Sequence, residues 1–163
     1  MKTQPTNPHT VVWADDDLDD LLLMRETMER LDQNHHVVET HNGQQVLDYL
    51  RTINDSSLYP CLIILDINMP VLNGRDTLAQ IRSEAQYDHI SVVMFTTSSS
   101  DRDHAFCKQY GAKLYTKPNS LAEYERVIAI LLTHCDSFEP VERTTHLVTD
   151  PSPQSHFPGS RNR

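Results

Sequence analysis

The feature that most constrains the fold is a fivefold alternation between short apolar runs and segments with helical periodicity. The apolar runs are rich in β-branched residues and cover residues 11–14, 36–40, 61–66, 91–96 and 113–116. Between and after these runs, apolar residues recur three or four positions apart, as Leu21, Met24 and Met28 do. Strands that alternate with helices predict right-handed crossovers and a parallel sheet covered by helices on both faces. We therefore predict an α/β fold over residues 10–135, with a five-stranded parallel sheet that is doubly wound as (βα)5.

Two segments flank this pattern. Residues 1–9 contain two prolines and little hydrophobicity, which predicts a flexible N-terminal arm. Residues 136–163 contain four of the nine prolines and no sustained periodicity. This composition predicts a disordered or loosely docked C-terminal tail.

The charge balance and the apolar content narrow the class of function. The formal net charge is −9, which disfavours a nucleic-acid partner, because binding to phosphates needs a basic face. No run approaches the roughly 20 apolar residues of a membrane span, and no export signal is visible at the N-terminus. We expect a cytoplasmic protein whose three cysteines, Cys61, Cys107 and Cys135, are thiols and form neither a disulfide framework nor a zinc site.

An acidic cluster follows the first predicted strand. Its members are Asp15, Asp16, Asp17, Asp19 and Asp20. One interpretation is a solvated turn that starts a helix, because aspartate favours helix N-termini. The other is that some of the carboxylates hold a hard cation. Taken alone, the segment favours the solvated turn.

Polar residues also end the other predicted strands. Asp66 ends the third strand, Thr96 and Thr97 end the fourth, and Lys117 ends the fifth. Ligands of open α/β sheets bind beyond the carboxyl ends of the strands, so we expect these groups to meet there. Carboxylates suit Mg²⁺, while an ammonium and a hydroxyl suit phosphoryl oxygens. A carboxylate can also act as a nucleophile toward phosphorus.

The polar residues at the ends of the other strands change the interpretation of the acidic cluster. Asp15 and Asp16 become candidate metal ligands, because a cation and Lys117 would offset the repulsion among the acids. The remaining aspartates, Asp17, Asp19 and Asp20, are then expected to form the helix cap and a solvated first turn.

Four motifs, in this order, resemble the receiver domain of bacterial two-component response regulators. They are ADD (14–16), LDINMPVLNG (65–74), FTT (95–97) and KP (117–118). The resemblance covers residues 10–135 and implies a flavodoxin-like receiver fold. It also implies that Asp66 accepts a phosphoryl group from a histidine kinase in a Mg²⁺-dependent reaction.

The resemblance assigns a role to each matching residue. It implies that the metal is held by Asp15, Asp16, Asp66 and Asn68. In this assignment Asp16 binds directly, Asp15 binds largely through water, and Asn68 binds through its backbone carbonyl. Thr96 would hydrogen-bond to the phosphoryl group, and Lys117 would pair with a phosphoryl oxygen.

The switch position departs from the family pattern. The family places an aromatic residue three positions before the lysine and four positions after the glycine of a GA pair. Here the segment from Gly111 to Lys117 is one residue shorter. Counting back from Lys117 gives Leu114, and counting forward from Gly111 gives Tyr115. We favour Leu114, because strand register is tied to Lys117, and a leucine there would remove the aromatic rotation.

The leading prediction is a stand-alone signalling module with slow self-dephosphorylation, not an enzyme, and without a DNA-binding output domain. Its expected partners are a sensor histidine kinase and a downstream protein or phosphotransfer partner. The insert TINDSSLYP (52–60) and the TTS after the fourth strand resemble regulators that serve phytochrome-type kinases. The face formed by the fourth helix, the fifth strand and the fifth helix is a candidate for partner binding and for homodimerisation.

The alternative is a Mg²⁺-dependent phosphohydrolase with an aspartate nucleophile. Such enzymes place a second aspartate two residues after the nucleophile, where it acts as acid and base. This chain has Asn68 there, and an amide cannot transfer the proton. The sequence therefore favours the receiver.

Overall fold

The computed structural model describes residues 9–31, 34–97 and 99–135, and it confirms the predicted alternation of strands and helices. The strands are β1 (His9–Ala14), β2 (His35–Thr40), β3 (Leu62–Leu65), β4 (Ser91–Thr96) and β5 (Lys113–Thr116). The helices are α1 (Leu18–Leu31), α2 (Gly43–Thr52), α3 (Gly74–Ser83), α4 (Asp101–Gln109) and α5 (Leu121–Leu132). Short 3₁₀ turns at Ser56–Leu58 and Ala85–Tyr87 precede β3 and β4.

The five strands form one parallel sheet in the order β2-β1-β3-β4-β5. The strand order reverses between β1 and β3, and doubly wound sheets carry their ligand crevice at such a point. Ala14 lies opposite Leu65, so the next residues, Asp15 and Asp66, leave neighbouring strands at the same level. The fold class predicted from the sequence is therefore confirmed, and it brings the acidic strand ends together.

Each face of the sheet carries its own hydrophobic core. One core joins Val12, Ile63 and Met94 of the strands to apolar residues of α2 and α3. The other joins Trp13 and Phe95 to α1 and α5. All four residues of β3 are buried, because helices cover both faces of a central parallel strand.

The helices begin close to the ends of the strands because short polar side chains cap them. The side chains of Asn42, Asn73, Ser100 and Ser120 each accept a hydrogen bond from a backbone N–H in the first turn of α2, α3, α4 and α5. Such caps satisfy donors that a helix start leaves without partners. Of the described helices, none is long and apolar enough to cross a membrane.

Of the two predicted flanking segments, the structure describes only His9. β1 begins at His9, which is the last residue of the predicted N-terminal arm. Residues 1–8 and the predicted tail, 136–163, lie outside the described residues. The arm and the tail therefore stay predictions.

The prediction that all three cysteines are thiols was wrong for two of them. Cys61 and Cys135 form a disulfide, and both residues are buried. The two cysteines are 74 residues apart, and only the fold shows that the start of β3 and the end of α5 meet at one edge of the sheet. Cys107 remains a buried thiol.

Arg82 joins three segments on the α3 side of the sheet. Its guanidinium donates hydrogen bonds to the backbone carbonyls of Tyr110 (3.1 Å), Tyr87 (3.1 Å) and Ile90 (2.9 Å). Burial lowers the pKa of this partly buried group. The planar fork of an arginine reaches several acceptors at once, which a lysine ammonium on a single stem cannot do.

Arg82→Lys is therefore expected to destabilise the protein by about 2 kcal/mol, because buried carbonyls lose their donors. Urea unfolding followed by Trp13 fluorescence would measure this change. Arg51→Lys is the matched control, since Arg51 is exposed and pairs only loosely with Asp48, at 3.4 Å. Equal stability of the two variants would contradict the role given to Arg82.

Candidate functional site

The predicted polar groups meet around one ammonium group. Lys117, directly after β5, donates hydrogen bonds from Nζ to Asp15 Oδ2 (2.6 Å), Asp20 Oδ2 (2.7 Å) and Asp66 Oδ2 (3.2 Å). The side chain of Lys117 is only 6% exposed. We call these four residues the Lys117 cluster.

The Lys117 cluster carries more negative than positive charge. Burial raises the pKa of Asp15 from 3.8 to about 6, although the hydrogen bond and the charge of Lys117 oppose the shift. Burial alone would lower the pKa of Lys117, but its hydrogen bonds to Asp15 and Asp20 outweigh burial and raise that pKa. The ammonium therefore stays charged, and Asp15 is the carboxylate whose charged form is penalised by burial.

Asp20 is a member that the sequence analysis placed elsewhere. We expected a solvated first turn, and Asp20 instead directs its carboxylate to Lys117, where it is 31% exposed. The other expectation for this turn holds at Asp17, whose Oδ1 accepts a hydrogen bond from the backbone N–H of Asp19 at 2.9 Å. Asp19 itself is exposed. Side chains of a helix lean toward its N-terminus, which takes Asp20 back to the strand ends.

Three carboxylates of this site fit a hard divalent cation. Oxygens of Asp15, Asp16 and Asp66 lie within 4.8 Å of one another. Asp66 Oδ1 is buried and has no hydrogen-bond partner among the described residues, whereas Asp16 is exposed to solvent. An all-oxygen set with access to water matches the ligands that Mg²⁺ takes in proteins. Asn68 is exposed in the loop after Asp66, and its carbonyl as a ligand stays a prediction.

Thr96 supplies a second buried oxygen without a partner. It ends β4, is fully buried, and its Oγ1 has no hydrogen-bond partner among the described residues. The backbone N–H of Lys117 donates to the Thr96 carbonyl at 2.7 Å, which fixes the two residues side by side. Buried polar atoms without partners are rare in folded proteins, so the Thr96 hydroxyl is available to bond to a group that enters the site. A hydroxyl and an ammonium here suit an anionic group such as a phosphoryl oxygen.

The register of β5 separates the two candidates for the switch position. Leu114 lies opposite Met94 and packs on the core beside α2 and α3, whereas Tyr115 lies opposite Phe95 on the α1 and α5 side. Thr96 is two residues beyond Met94, so it shares the sheet face of Leu114. The hydroxyl of Tyr115 instead contacts His134 Nε2 at 3.2 Å. Of the two candidates, Leu114 is thus the one on the same sheet face as Thr96, and its role as a switch stays a prediction.

A link between α3 and α4 was missed by the sequence analysis. The guanidinium of Arg75 binds Asp103, with Nε at 2.7 Å from Oδ1. Asp103 Oδ2 accepts hydrogen bonds from the backbone N–H and the hydroxyl of Ser100. Burial would raise the pKa of Asp103, but these hydrogen bonds lower it. The signal in the sequence is a capping box, Ser100 followed three residues later by an acid, and it fixes the start of α4 near Thr96.

The loop after Asp66 contains a strained residue. Val71 has a φ of 67°, in the left-handed region that β-branched residues rarely adopt, and its side chain is 81% exposed. Backbone strain of this kind is concentrated at functional sites. The strain lies five residues beyond Asp66, in the loop that also carries Asn68.

Comparison with known proteins places these features in a family. A sequence model of the response regulator receiver domain family matches residues 11–129. Response regulator Rcp1 of Synechocystis sp. is 25% identical over 131 residues, which cover 78% of this chain and 89% of Rcp1.

Three solved structures are similar to the fold described here. The Mn²⁺-bound form of Rcp1 has a TM-score of 0.66 and 25% identity, and the similarity covers 74% of this chain and 89% of that one. The phosphorylated cyanobacterial phytochrome response regulator RcpA has a TM-score of 0.66, 27% identity and coverages of 74% and 88%. RPA3017, a response regulator in red light signaling of R. palustris, has a TM-score of 0.67, 29% identity and coverages of 76% and 90%.

Asp15→Asn is expected to stabilise the cation-free protein at pH 7 by up to about 3 kcal/mol. The raised pKa of Asp15, about 6, means that between about pH 4 and pH 6 the folded protein holds a proton that the unfolded chain has released, and that ionising Asp15 above pH 6 costs stability. The stability that Asp15 contributes is therefore full below pH 4 and is lost as the pH rises through 6. Urea unfolding at pH 4 and at pH 7, with a chelator present, would measure the difference.

The control for this measurement is Asp19→Asn, an exposed aspartate in the same helical turn. Its effect on stability should be small and alike at the two pH values. If Asp15→Asn lowered stability at pH 7, the electrostatic description of the Lys117 cluster would be wrong.

Proposed function

The chain belongs to the response regulator receiver domain family, and on that premise we propose that Asp66 accepts a phosphoryl group from the phosphohistidine of a sensor histidine kinase. The observation that carries this proposal is the asymmetry of the Asp66 carboxylate. Lys117 holds Oδ2 at 3.2 Å, whereas Oδ1 accepts no hydrogen bond from the described residues. The hydrogen bond from Lys117 orients Oδ2, and Oδ1 keeps its lone pairs for a bond to phosphorus.

The proposed reaction is a phosphoryl transfer from nitrogen to oxygen. Asp66 Oδ1 attacks phosphorus, the P–N bond breaks, and its electron pair returns to the imidazole of the kinase. The product is an acyl phosphate on Asp66. The side chain of Asp66 is 12% exposed as a whole, although Oδ1 itself is buried.

The neighbouring side chains support this reaction by charge and by hydrogen bonds. Carboxylates accept from all three donors of Lys117, so the ammonium exchanges one of these hydrogen bonds for one to an oxygen of the arriving phosphoryl group. The Thr96 hydroxyl donates to another phosphoryl oxygen. We propose that Mg²⁺ is held by Asp15, Asp16 and Asp66 together with the backbone carbonyl of Asn68. When bound, Mg²⁺ supplies positive charge that offsets the carboxylates and the phosphoryl group.

We propose that the signal leaves the site through the face formed by α4, β5 and α5. A phosphoryl group adds negative charge beside Thr96, which shares a sheet face with Leu114. The Arg75–Asp103 pair holds the start of α4 close to the same strand end. A change at Thr96 would therefore reach the surface of α4 through short contacts. A protein partner, or a second copy of the chain, would read that surface, or the phosphoryl group would pass onward in a relay.

The kinase is proposed to be of the phytochrome type. RcpA is described as a phytochrome response regulator, and RPA3017 as acting in red light signaling. We place the protein in the cytoplasm, with no nucleic-acid or membrane partner, which agrees with its net charge of −9.

A signalling module is favoured over a phosphohydrolase. The position two residues after Asp66 is Asn68, whose amide cannot act as acid and base for turnover. We therefore propose that the phosphorylated form hydrolyses itself slowly and that the protein does not cycle over phosphate esters.

Incubation of the native protein with acetyl phosphate and Mg²⁺ is expected to give a retarded band on a phosphate-affinity gel. The band should disappear in Asp66→Asn, because an amide does not form the acyl phosphate. The band should also disappear with chelator, because without Mg²⁺ the excess negative charge of the site repels the phosphoryl group.

The matched control is Asp88→Asn, an exposed aspartate at the opposite edge of the sheet, which should give the native band. Circular dichroism would establish that each variant is folded. A band of native intensity in folded Asp66→Asn would overturn the assignment of Asp66. Continuous release of phosphate from acetyl phosphate in excess over the protein, at enzymatic rates, would favour the phosphohydrolase.

A further inference from the structure

We infer that Cys61 and Cys135 form a reversible thiol–disulfide site at the edge of the sheet opposite the Lys117 cluster. Cys61 directly precedes β3, whereas Asp66 directly follows it, so the two sites lie at opposite ends of one strand. Cys135 lies three residues beyond the end of α5. Closing or opening the pair therefore fastens or releases the end of α5 at the base of the sheet.

The backbone places the two cysteines where a disulfide forms without rearrangement. Their Cα atoms are 4.8 Å apart, within the range that disulfides require. Both residues are 1% exposed and belong to the core that α1 and α5 build on the sheet.

The same pocket also accommodates the reduced pair. The sulfur of Cys61 lies 3.4 Å from the carbonyl oxygen of Thr10, which is within reach of an S–H donor. A ring nitrogen of His35, the first residue of β2, lies within 4.8 Å of both sulfurs. An imidazole close to a thiol favours the thiolate, which is the nucleophile of disulfide exchange. The groups around the two cysteines are thus compatible with both the disulfide and the pair of reduced thiols.

The end of α5 provides access to the buried pair. Residues 133–135 continue the helix as a single tight turn, with backbone hydrogen bonds from Thr133, His134 and Cys135 to residues three positions earlier. The Tyr115 hydroxyl, 3.2 Å from His134 Nε2, also holds this turn, so access to Cys135 requires local opening, which costs less than global unfolding. Opening this turn exposes Cys135 first, while Cys61 stays anchored beside β3.

The exchange is written with glutathione disulfide as the oxidant. The Cys135 thiolate attacks one sulfur of the oxidant and releases one glutathione thiolate, which takes up the proton of Cys135. The Cys61 thiolate then attacks the Cys135 sulfur of the mixed disulfide and releases the second glutathione. Two protein thiols and one glutathione disulfide thus give one protein disulfide and two glutathione thiols.

Reversibility rests on the cytoplasmic location given under the proposed function, because disulfides in that compartment are usually transient or redox-sensing. The third cysteine provides an internal control. Cys107 lies in the other core, on α4, and burial together with the charge of Asp103 raises the pKa of its thiol. It is therefore expected to take no part in the exchange.

The test equilibrates the reduced full-length protein in buffers of graded glutathione to glutathione disulfide ratio. Acid then stops the exchange, and a maleimide added in denaturant labels every thiol, including the buried ones, for intact mass. Three adducts are expected under reducing conditions and one under oxidising conditions, with a peptide containing Cys61 linked to one containing Cys135. Because the bridge spans 74 residues, reduction should lower the melting temperature by roughly 10 °C.

Three variants make the result specific. Cys61→Ser and Cys135→Ser should melt at temperatures that reductant does not change, while Cys107→Ser should retain the native redox response with one adduct fewer. His35→Gln should slow disulfide formation several-fold at pH 7. An unchanged rate of disulfide formation in His35→Gln would show that His35 takes no part in the exchange.

Three outcomes would overturn the inference. One is three maleimide-labelled thiols at every glutathione ratio, and another is a disulfide that involves Cys107. The third is a reduced protein that binds Zn²⁺ through the cysteines and thereby resists oxidation, which would make the cluster a metal site. Neither the mass nor the melting measurement uses phosphorylation, so failure here and failure of the proposed function are distinguishable.

Discussion

The hydrogen bonds of the Lys117 ammonium hold the functional edge of this protein together. They bind carboxylates that would otherwise repel one another, in surroundings where Asp15 is 1% exposed. One positive charge does not balance three negative ones, and burial adds a further penalty on the charged form of Asp15, which raises its pKa. A bound divalent cation would offset this excess of negative charge. The Lys117 ammonium also lies where an arriving phosphoryl group needs a partner.

This arrangement exists only because the sheet is parallel and doubly wound. Lys117 and Asp15 are 102 residues apart in sequence, and Lys117 and Asp66 are 51 apart, yet β1, β3 and β5 end at one edge. The registers that align Asp15 with Asp66 and Thr96 with Thr116 are set by the apolar faces of the strands. Packing of the two cores therefore determines the geometry of the site. The opposite edge, where Cys61 and Cys135 meet, is built by the same alignment.

Much of this could be predicted from the sequence, because strand ends are visible in a pattern of apolar runs. Asp66 and Lys117 were found as the first polar residues after such runs. Asp20 was not, since helical periodicity does not show which acid of a first turn leans back to the sheet. The disulfide and the Arg75–Asp103 pair depend on which elements meet in space, and periodicity carries no information on that. The register of β5 was needed to place Leu114 on the same sheet face as Thr96.

Cation binding is the most direct test of the central claim, that three carboxylates around one ammonium require a further positive charge. Isothermal titration of the chelator-treated native protein with Mg²⁺ at pH 7.5 would measure it. We expect saturable binding at one site, which is lost in Asp15→Asn and in Asp66→Asn but kept in Asp88→Asn. Absence of saturable binding to the folded native protein, or equal binding in all three variants, would contradict it.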